Sequence, residues 1–274
     1  MANAKEIKRR IKSIKNTWKI TKAMELISTV KMKKAQDLAL DKKEYMKSML
    51  EIFLNLEDSL KDSKYFNHNN WTKTLNIIIA SNKWLCWGYN VNVLKKVNEY
   101  RKSNPNENIE YLTIWKKWLN MVLKTQSNLL ADFSKDFWDI LTLSYSKTIS
   151  KLIVEKFLSW EYKKINVFYT HYLNTIKQIP VCREFLPLTK AWIELYFRQI
   201  FWDEFLNKKQ ELKNEVIKIN YEIEPTKEEF LDESMPFMID SMFFDILLES
   251  KASEHSSRMI AMKNAKDNAN KFAL

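Results

Sequence analysis

The first 58 residues hold neither proline nor glycine, and apolar side chains recur through them at helical spacing. Ile7, Ile11, Ile14 and Trp18 follow a 4-3-4 rhythm, which is the seam of a coiled coil. Met235, Ile239, Met242 and Ile246 repeat that rhythm near the other end. The pattern predicts one long helix over 1–58 and a second over 227–274. A helix of about 55 residues is roughly 80 Å long, more than a compact domain is wide, so such ends must project. Pro236 predicts a kink in the second helix, or a true start near Ser234.

The middle of the chain, 72–224, has a different rhythm. Leu-Asn-Ile-Ile-Ile-Ala-Ser over 75–81 is a short apolar, β-branched run that predicts a buried strand. A helix is expected over 90–101, on the apolar face of Val91, Val93, Leu94 and Val97, followed by a polar loop at 103–108. Strands are expected at 109–114, 119–123, 165–170, 175–181 and 217–223, with a helix over 136–160. Strands alternating with helices imply an α/β domain with a mostly parallel sheet. The fold class is therefore α/β: a long antiparallel coiled coil of the terminal helices plus a central α/β domain.

Charge changes the picture of the ends. The chain carries a net +11. Residues 1–43 hold 13 Lys and Arg against four acids, whereas 227–274 hold nine acids against six bases. A basic helix beside a mildly acidic one suits an antiparallel pair. The surplus on the first helix still calls for an acidic partner: nucleic acid, acidic lipid or an acidic protein surface. No apolar run approaches the ~18 residues of a membrane span, and the N-terminus has no apolar signal core. Cys86 and Cys182 are too far apart in sequence for a metal or redox motif and read as reduced thiols.

Catalytic chemistry is hard to find. With Gly88 the single glycine, no phosphate-cradling loop exists. The strand-turn-helix at 75–101 is where a dinucleotide would sit, yet it lacks that fingerprint. His68, His171 and His255 are scattered and form no metal motif. Ser253-Glu254-His255 is a triad on paper only, since adjacent helical side chains diverge by ~100°. These three read as polar residues on a helix surface. No catalytic, cofactor-binding or metal residue is expected.

Longer motifs then come into view. Met1-Ala-Asn-Ala-Lys-Glu-Ile-Lys-Arg-Arg-Ile-Lys-Ser-Ile-Lys-Asn-Thr17, Ile20-Thr-Lys-Ala-Met-Glu25 and Lys31-Met-Lys-Lys-Ala-Gln36 resemble the opening of the ATP synthase gamma subunit family. Ser81-Asn-Lys-Trp-Leu-Cys-Trp-Gly-Tyr-Asn90 resembles its Ser-Asp-Arg-Gly-Leu-Cys-Gly-Gly turn. Glu249-Ser-Lys-Ala-Ser-Glu-His-Ser-Ser-Arg-Met259 resembles its terminal helix. The resemblance implies the rotor shaft of a proton-translocating ATP synthase, one copy per complex and not catalytic by itself. Its implied partners are the α and β subunits, the epsilon subunit and the membrane c-ring. Its implied location is peripheral, on the cytoplasmic face of the bacterial inner (plasma) membrane. The basic first helix would meet acidic lever segments of β. Lys22, Met24 and Arg258 are carried over as partner contacts. The rival reading is a basic coiled-coil protein that binds nucleic acid. Against it, Trp18 is the sole aromatic interleaved with the basic residues of the first helix, and no base-reading module appears.

Two departures stand out. Trp84, Trp87, Trp115, Trp118 and Trp160 occupy positions where the resembled family has glycine, in a chain with ten tryptophans and one glycine. An indole is costly where a turn needs φ > 0 or close backbone approach. These five are read as UGA codons that the source decodes as glycine. The chain also stops at Leu274 in mid-helix without a C-cap, before the family's Asn-Lys-x-Arg-Gln segment, so the second helix is expected to be truncated.

Overall fold

The computed structural model describes the chain except at 1–3, 43–44, 47, 50–51, 53–55, 57–62, 68–70, 82–84, 115–127, 134–140, 199–223, 225 and 274. The element order is α1 (Ala4–Asp41), β1 (Lys73–Ile78), α2 (Trp87–Ser103), β2 (Asn108–Thr113), β3 (Asn128–Asp132), α3 (Leu143–Leu158), β4 (Lys164–Tyr172), β5 (Gln178–Leu186) and α4 (Lys227–Ala273). A further helical stretch runs over 190–198.

The five strands form one sheet in the order β3-β2-β1-β4-β5. Every pairing is parallel except β4 with β5, which is antiparallel. The crossover helix α2 packs Val93 and Val97 onto Ile78, Tyr111 and Phe168, on one face of the sheet. Ile149, Ile153 and Phe157 of α3 cover the other face together with α4. Both faces of β1 are therefore dry, which is why Leu75, Ile77 and Ile78 do not alternate with exposed positions and why even Thr74 and Asn76 are buried.

The terminal helices pair as antiparallel partners. Lys266 Nζ reaches Glu25 at 2.6 Å, and Lys42 Nζ reaches Asp245 at 2.7 Å. The first pair fixes the register along the rod, and the second ties the residue after α1 to the part of α4 that lies in the α/β domain. Residues 11, 14, 18, 21, 25, 28, 32 and 35 are the buried or half-buried positions of that face, an unbroken 3-4 heptad alternation. The seam expected at Ile7, Ile11, Ile14 and Trp18 continues through Thr21, Ser28, Met32 and Ala35, three of which are polar or small, whereas Ile7 itself is exposed.

The second helix starts at Lys227, as the 227–274 expectation has it and not at the alternative start near Ser234, because Thr226 caps it: Glu229 N donates to Thr226 Oγ1 at 3.2 Å, in a Thr-x-x-Glu box. The helix runs on past Pro236 without ending. Met235, Ile239, Met242 and Ile246 are all buried, but in the core beneath the sheet rather than along the rod. The first half of α4 is thus a structural part of the α/β domain, and only its later turns join α1 in the projecting rod.

Other expectations are adjusted. The single helix expected over 1–58 ends at Asp41, with a turn at Lys42. β3 was not foreseen. The strand expected at 175–181 instead runs over Gln178–Leu186, with 175–177 in a turn. The helix expected over 136–160 spans Leu143–Leu158. The expected strands at 119–123 and 217–223 fall outside the described residues, as do Trp84, Trp115 and Trp118.

Trp160 sits at φ 61, just past Ser159, the C-cap of α3, and its N–H donates to Phe157 O at 3.2 Å. Its indole is 52% exposed. This is the left-handed C′ position that favours glycine, and an L side chain there costs roughly 1–2 kcal/mol. Trp87 is exposed as well. Replacing Trp160→Gly should raise unfolding stability by about 1 kcal/mol in a thermal melt. Peptide mass spectrometry of the native protein should read glycine at 160; tryptophan there, or no stability gain, would retire the codon reading.

Candidate functional site

In a parallel α/β sheet, the crevice for ligands lies at the carboxyl ends of the strands where the chain switches direction, here between β1 and β4. In this protein α4 fills that crevice. Ser253 Oγ donates to Thr170 O at 3.0 Å, at the end of β4. Ser81 Oγ, just beyond β1, donates to Glu254 Oε1 at 2.8 Å. Tyr89, in the first turn of α2, donates to Ser250 O at 3.1 Å. The protein's own helix occupies the space at these strand ends.

At the centre lies a buried ion pair. Arg258 Nη2 is 2.7 Å from Glu254 Oε1, and the two residues are 4% and 3% exposed. The same guanidinium reaches Ser81 Oγ at 3.1 Å and Cys86 Sγ at 3.3 Å, and its Nη1 lies 3.2 Å from His255 Nδ1. Lys251 Nζ approaches the second carboxylate oxygen at 3.3 Å. Burial alone would push the Glu254 carboxyl up, yet Lys251 and Arg258 hold it far below the usual carboxylate range. Burial pushes His255 down to about 4, helped by Lys251 and Arg258, so the imidazole is neutral at pH 7 and accepts from the guanidinium.

The sequence placed Ser253, Glu254 and His255 on a helix surface. The structure corrects this: all three are buried. Ser253 faces β4, while Glu254 and His255 both contact the Arg258 guanidinium rather than each other or Ser253, so they do not line up as a triad. His171 lies apart, 2.8 Å from Glu249. The polar run 249–258 in an otherwise apolar buried helix was the available signal for this attachment: so many polar residues on adjacent turns need buried partners.

Of the three expected contact residues, Lys22 is exposed, its ammonium 4.9 Å from the Trp18 ring centroid, and Met24 beside it is half-buried. Arg258 lies far from them, inside the chain, with its Nη groups engaged as above. Along the outside of α1, Ile20, Leu26, Ile27 and Val30 remain exposed. The rod thus presents exposed apolar area on the side of α1 that α4 does not cover.

Glu254→Gln should destabilise the protein by about 3–5 kcal/mol, because it strands a buried guanidinium, whereas the paired change E254L with R258M should cost markedly less. Thermal unfolding of the two variants checks this. Acidification should also loosen the joint. The unfolded His255 binds a proton below about 6.5 while the folded one does not until about 4, so stability falls as pH drops through that window. Glu254, depressed as well, adds to the loss below the ordinary carboxylate range. His255→Asn should remove roughly 3 kcal/mol of that pH-dependent loss in melts taken from pH 7 to 4.

The architecture and these motifs agree with what comparison finds. The family model described as ATP synthase matches residues 3–273. The chain is 32% identical over 274 residues to the ATP synthase gamma chain of Akkermansia muciniphila, covering 98% of this chain and 88% of that one. It is 34% identical over 266 residues to the gamma chain of Clostridium perfringens, covering 96% and 86%. Among solved structures it resembles a chain of the central stalk and c-ring of Tetrahymena thermophila mitochondrial ATP synthase, with a TM-score of 0.62 at 20% identity, covering 90% of this chain and 99% of that one. It also resembles a chain of the Euglena gracilis mitochondrial ATP synthase rotor, with a TM-score of 0.56 at 13% identity, covering 97% and 92%. The chain belongs to the ATP synthase gamma-chain family.

Proposed function

We infer that this chain is the rotor shaft of an ATP synthase, a non-catalytic central-stalk subunit. It couples ion flow through the membrane ring to the conformational cycling of the catalytic β subunits. Its partners are the α and β subunits, the epsilon subunit and the c-ring. The single observation that carries the reading is the rod itself: both chain ends run antiparallel in a heptad register and leave a folded α/β foot on one side. At 1.5 Å per residue, α1 with its 38 residues is roughly 57 Å long and α4 with its 47 residues roughly 70 Å long.

The mechanism follows from asymmetry. A rod with a basic, partly apolar outer face presents a different side to each surrounding β subunit. Turning it moves that face from one β to the next, so each nucleotide site meets attractive and neutral shaft surfaces in turn. Lys22, exposed and already ordered over Trp18, is assigned to an acidic segment of β, and Met24 to apolar contact beside it. Arg258 serves this mechanism from inside, by holding α4 on the foot. Among the described residues no helix is long and apolar enough to cross a membrane. The subunit is peripheral to the membrane, and we place it on the cytoplasmic face of the bacterial plasma membrane, as suits its bacterial relatives.

Co-expression with α and β subunits of a bacterial relative should give a complex that hydrolyses ATP, and adding the membrane sector should give ATP-driven proton pumping. Lys22→Glu should lower pumping about two- to fivefold while leaving hydrolysis near wild type, the effect expected for an exposed charge contact. A chain that never travels with α and β, but is retained on DNA at low salt, would instead support the nucleic-acid reading.

A further inference from the structure

The antiparallel pair β4–β5 ends in a tight hairpin tip at 173–177, and this tip touches both helices of the rod at the level where the rod leaves the foot. On the α1 side, Gln36 Nε2 donates to the Tyr172 hydroxyl at 2.9 Å, and that hydroxyl points at Met32 Sδ, 3.8 Å away. On the α4 side, Gln178 Nε2 donates to Ser256 Oγ at 3.2 Å, Ser257 Oγ donates to Gln178 Oε1 at 3.1 Å, and Ser256 Oγ donates to Thr175 O.

The tip is itself braced. Asn174 Oδ1 accepts from Ile176 N at 2.9 Å and Lys177 N at 2.8 Å, and Gln178 Nε2 also donates to the carbonyls of Asn174 and Thr175, at 3.1 and 2.7 Å. Tyr172 OH and Thr175 Oγ1 lie 3.2 Å apart, which links the α1 arm of the grip to the α4 arm.

Apolar packing alone would hold a helix against a sheet but resist its rotation only weakly, since burial is non-directional. Hydrogen bonds have preferred angles and lose energy when either helix turns about its axis. We propose that Tyr172 and Gln178 are positioning residues that make this hairpin a torsional clasp, fixing both rod helices to the foot so that torque entering the foot reaches the shaft without slip. The apolar side chains at the tip, Leu173 and Ile176, point outward and leave the grip to polar groups. The clasp rests on the rotor reading and names the residues through which that rotor transmits load.

The test uses the assembled complex, immobilised by its catalytic head, with a bead on the foot. In the double variant Tyr172→Phe with Gln178→Leu, the angular variance of the bead at a paused position should widen about twofold, and the ratio of protons pumped to ATP hydrolysed should fall. The unfolding temperature of the complex should move little, which separates a torsional role from a purely structural one. Restoring either residue singly should recover part of the stiffness. Unchanged variance in a variant complex that assembles and hydrolyses ATP would overturn the clasp and leave the rotor reading intact. Failure of the unsubstituted chain to assemble would count against the rotor reading instead. If the double variant does not assemble, Tyr172→Phe alone, which loses one hydroxyl, carries the test: wild-type variance and coupling overturn the clasp.

Discussion

Burying an ion pair removes two full charges from water, and the loss is offset only when every lone pair and proton finds a partner. Arg258 and Glu254 meet most of that demand with groups from three separate elements. Ser81 comes from the end of β1, Cys86 from the start of α2, and Lys251 and His255 from neighbouring turns of α4. The pair can exist only when α4 lies in the sheet's crevice, and α4 can lie there only because these partners converge. Rod and foot are thereby coupled by a directional contact rather than by packing alone.

In this arrangement the crevice where doubly wound sheets take nucleotides is occupied by α4. The switch point between β1 and β4 is the position where a phosphate would meet the first turn of α2. Here the ends of those strands bond to α4 serines, and a permanent carboxylate stands in the crevice. The ligand-binding end of an α/β domain has become a socket for a helix. The polar stretch 249–258 divides α4 into two working parts: an apolar part buried under the sheet, and a later part that pairs with α1.

Much of this was legible in the chain. The heptad rhythm of Ile11, Ile14 and Trp18 marked the rod, because a supercoil seam needs a 3.5-residue period and little else does. β1 was visible as an apolar run because it is covered on both faces. The motifs around 20–25, 81–90 and 249–259 identified the family. Less visible was β3, five residues in length and only partly buried, whose strong signal comes from pairing with β2 rather than from its own composition. The four-residue rhythm of Met235, Ile239, Met242 and Ile246 was read as a rod seam, but a stripe of that kind fits a sheet face equally well. Periodicity reports that one face is buried, not what buries it.

The sequence by itself determined most of the elements, the basic surplus on α1 and the family. Each of these depends on local spacing, residue type or length, all of which are written along the chain. Only the tertiary structure decided that Glu254 and His255 are buried, that Arg258 is engaged inside the chain while Lys22 faces outward, and that Tyr172 and Gln178 reach both rod helices. Those facts depend on contacts between residues up to 177 positions apart, as in Arg258 with Ser81. A polar side chain on a helix looks the same in sequence whether water or a buried partner satisfies it. Which of the two occurs is fixed when the sheet, the hairpin and the helices come together.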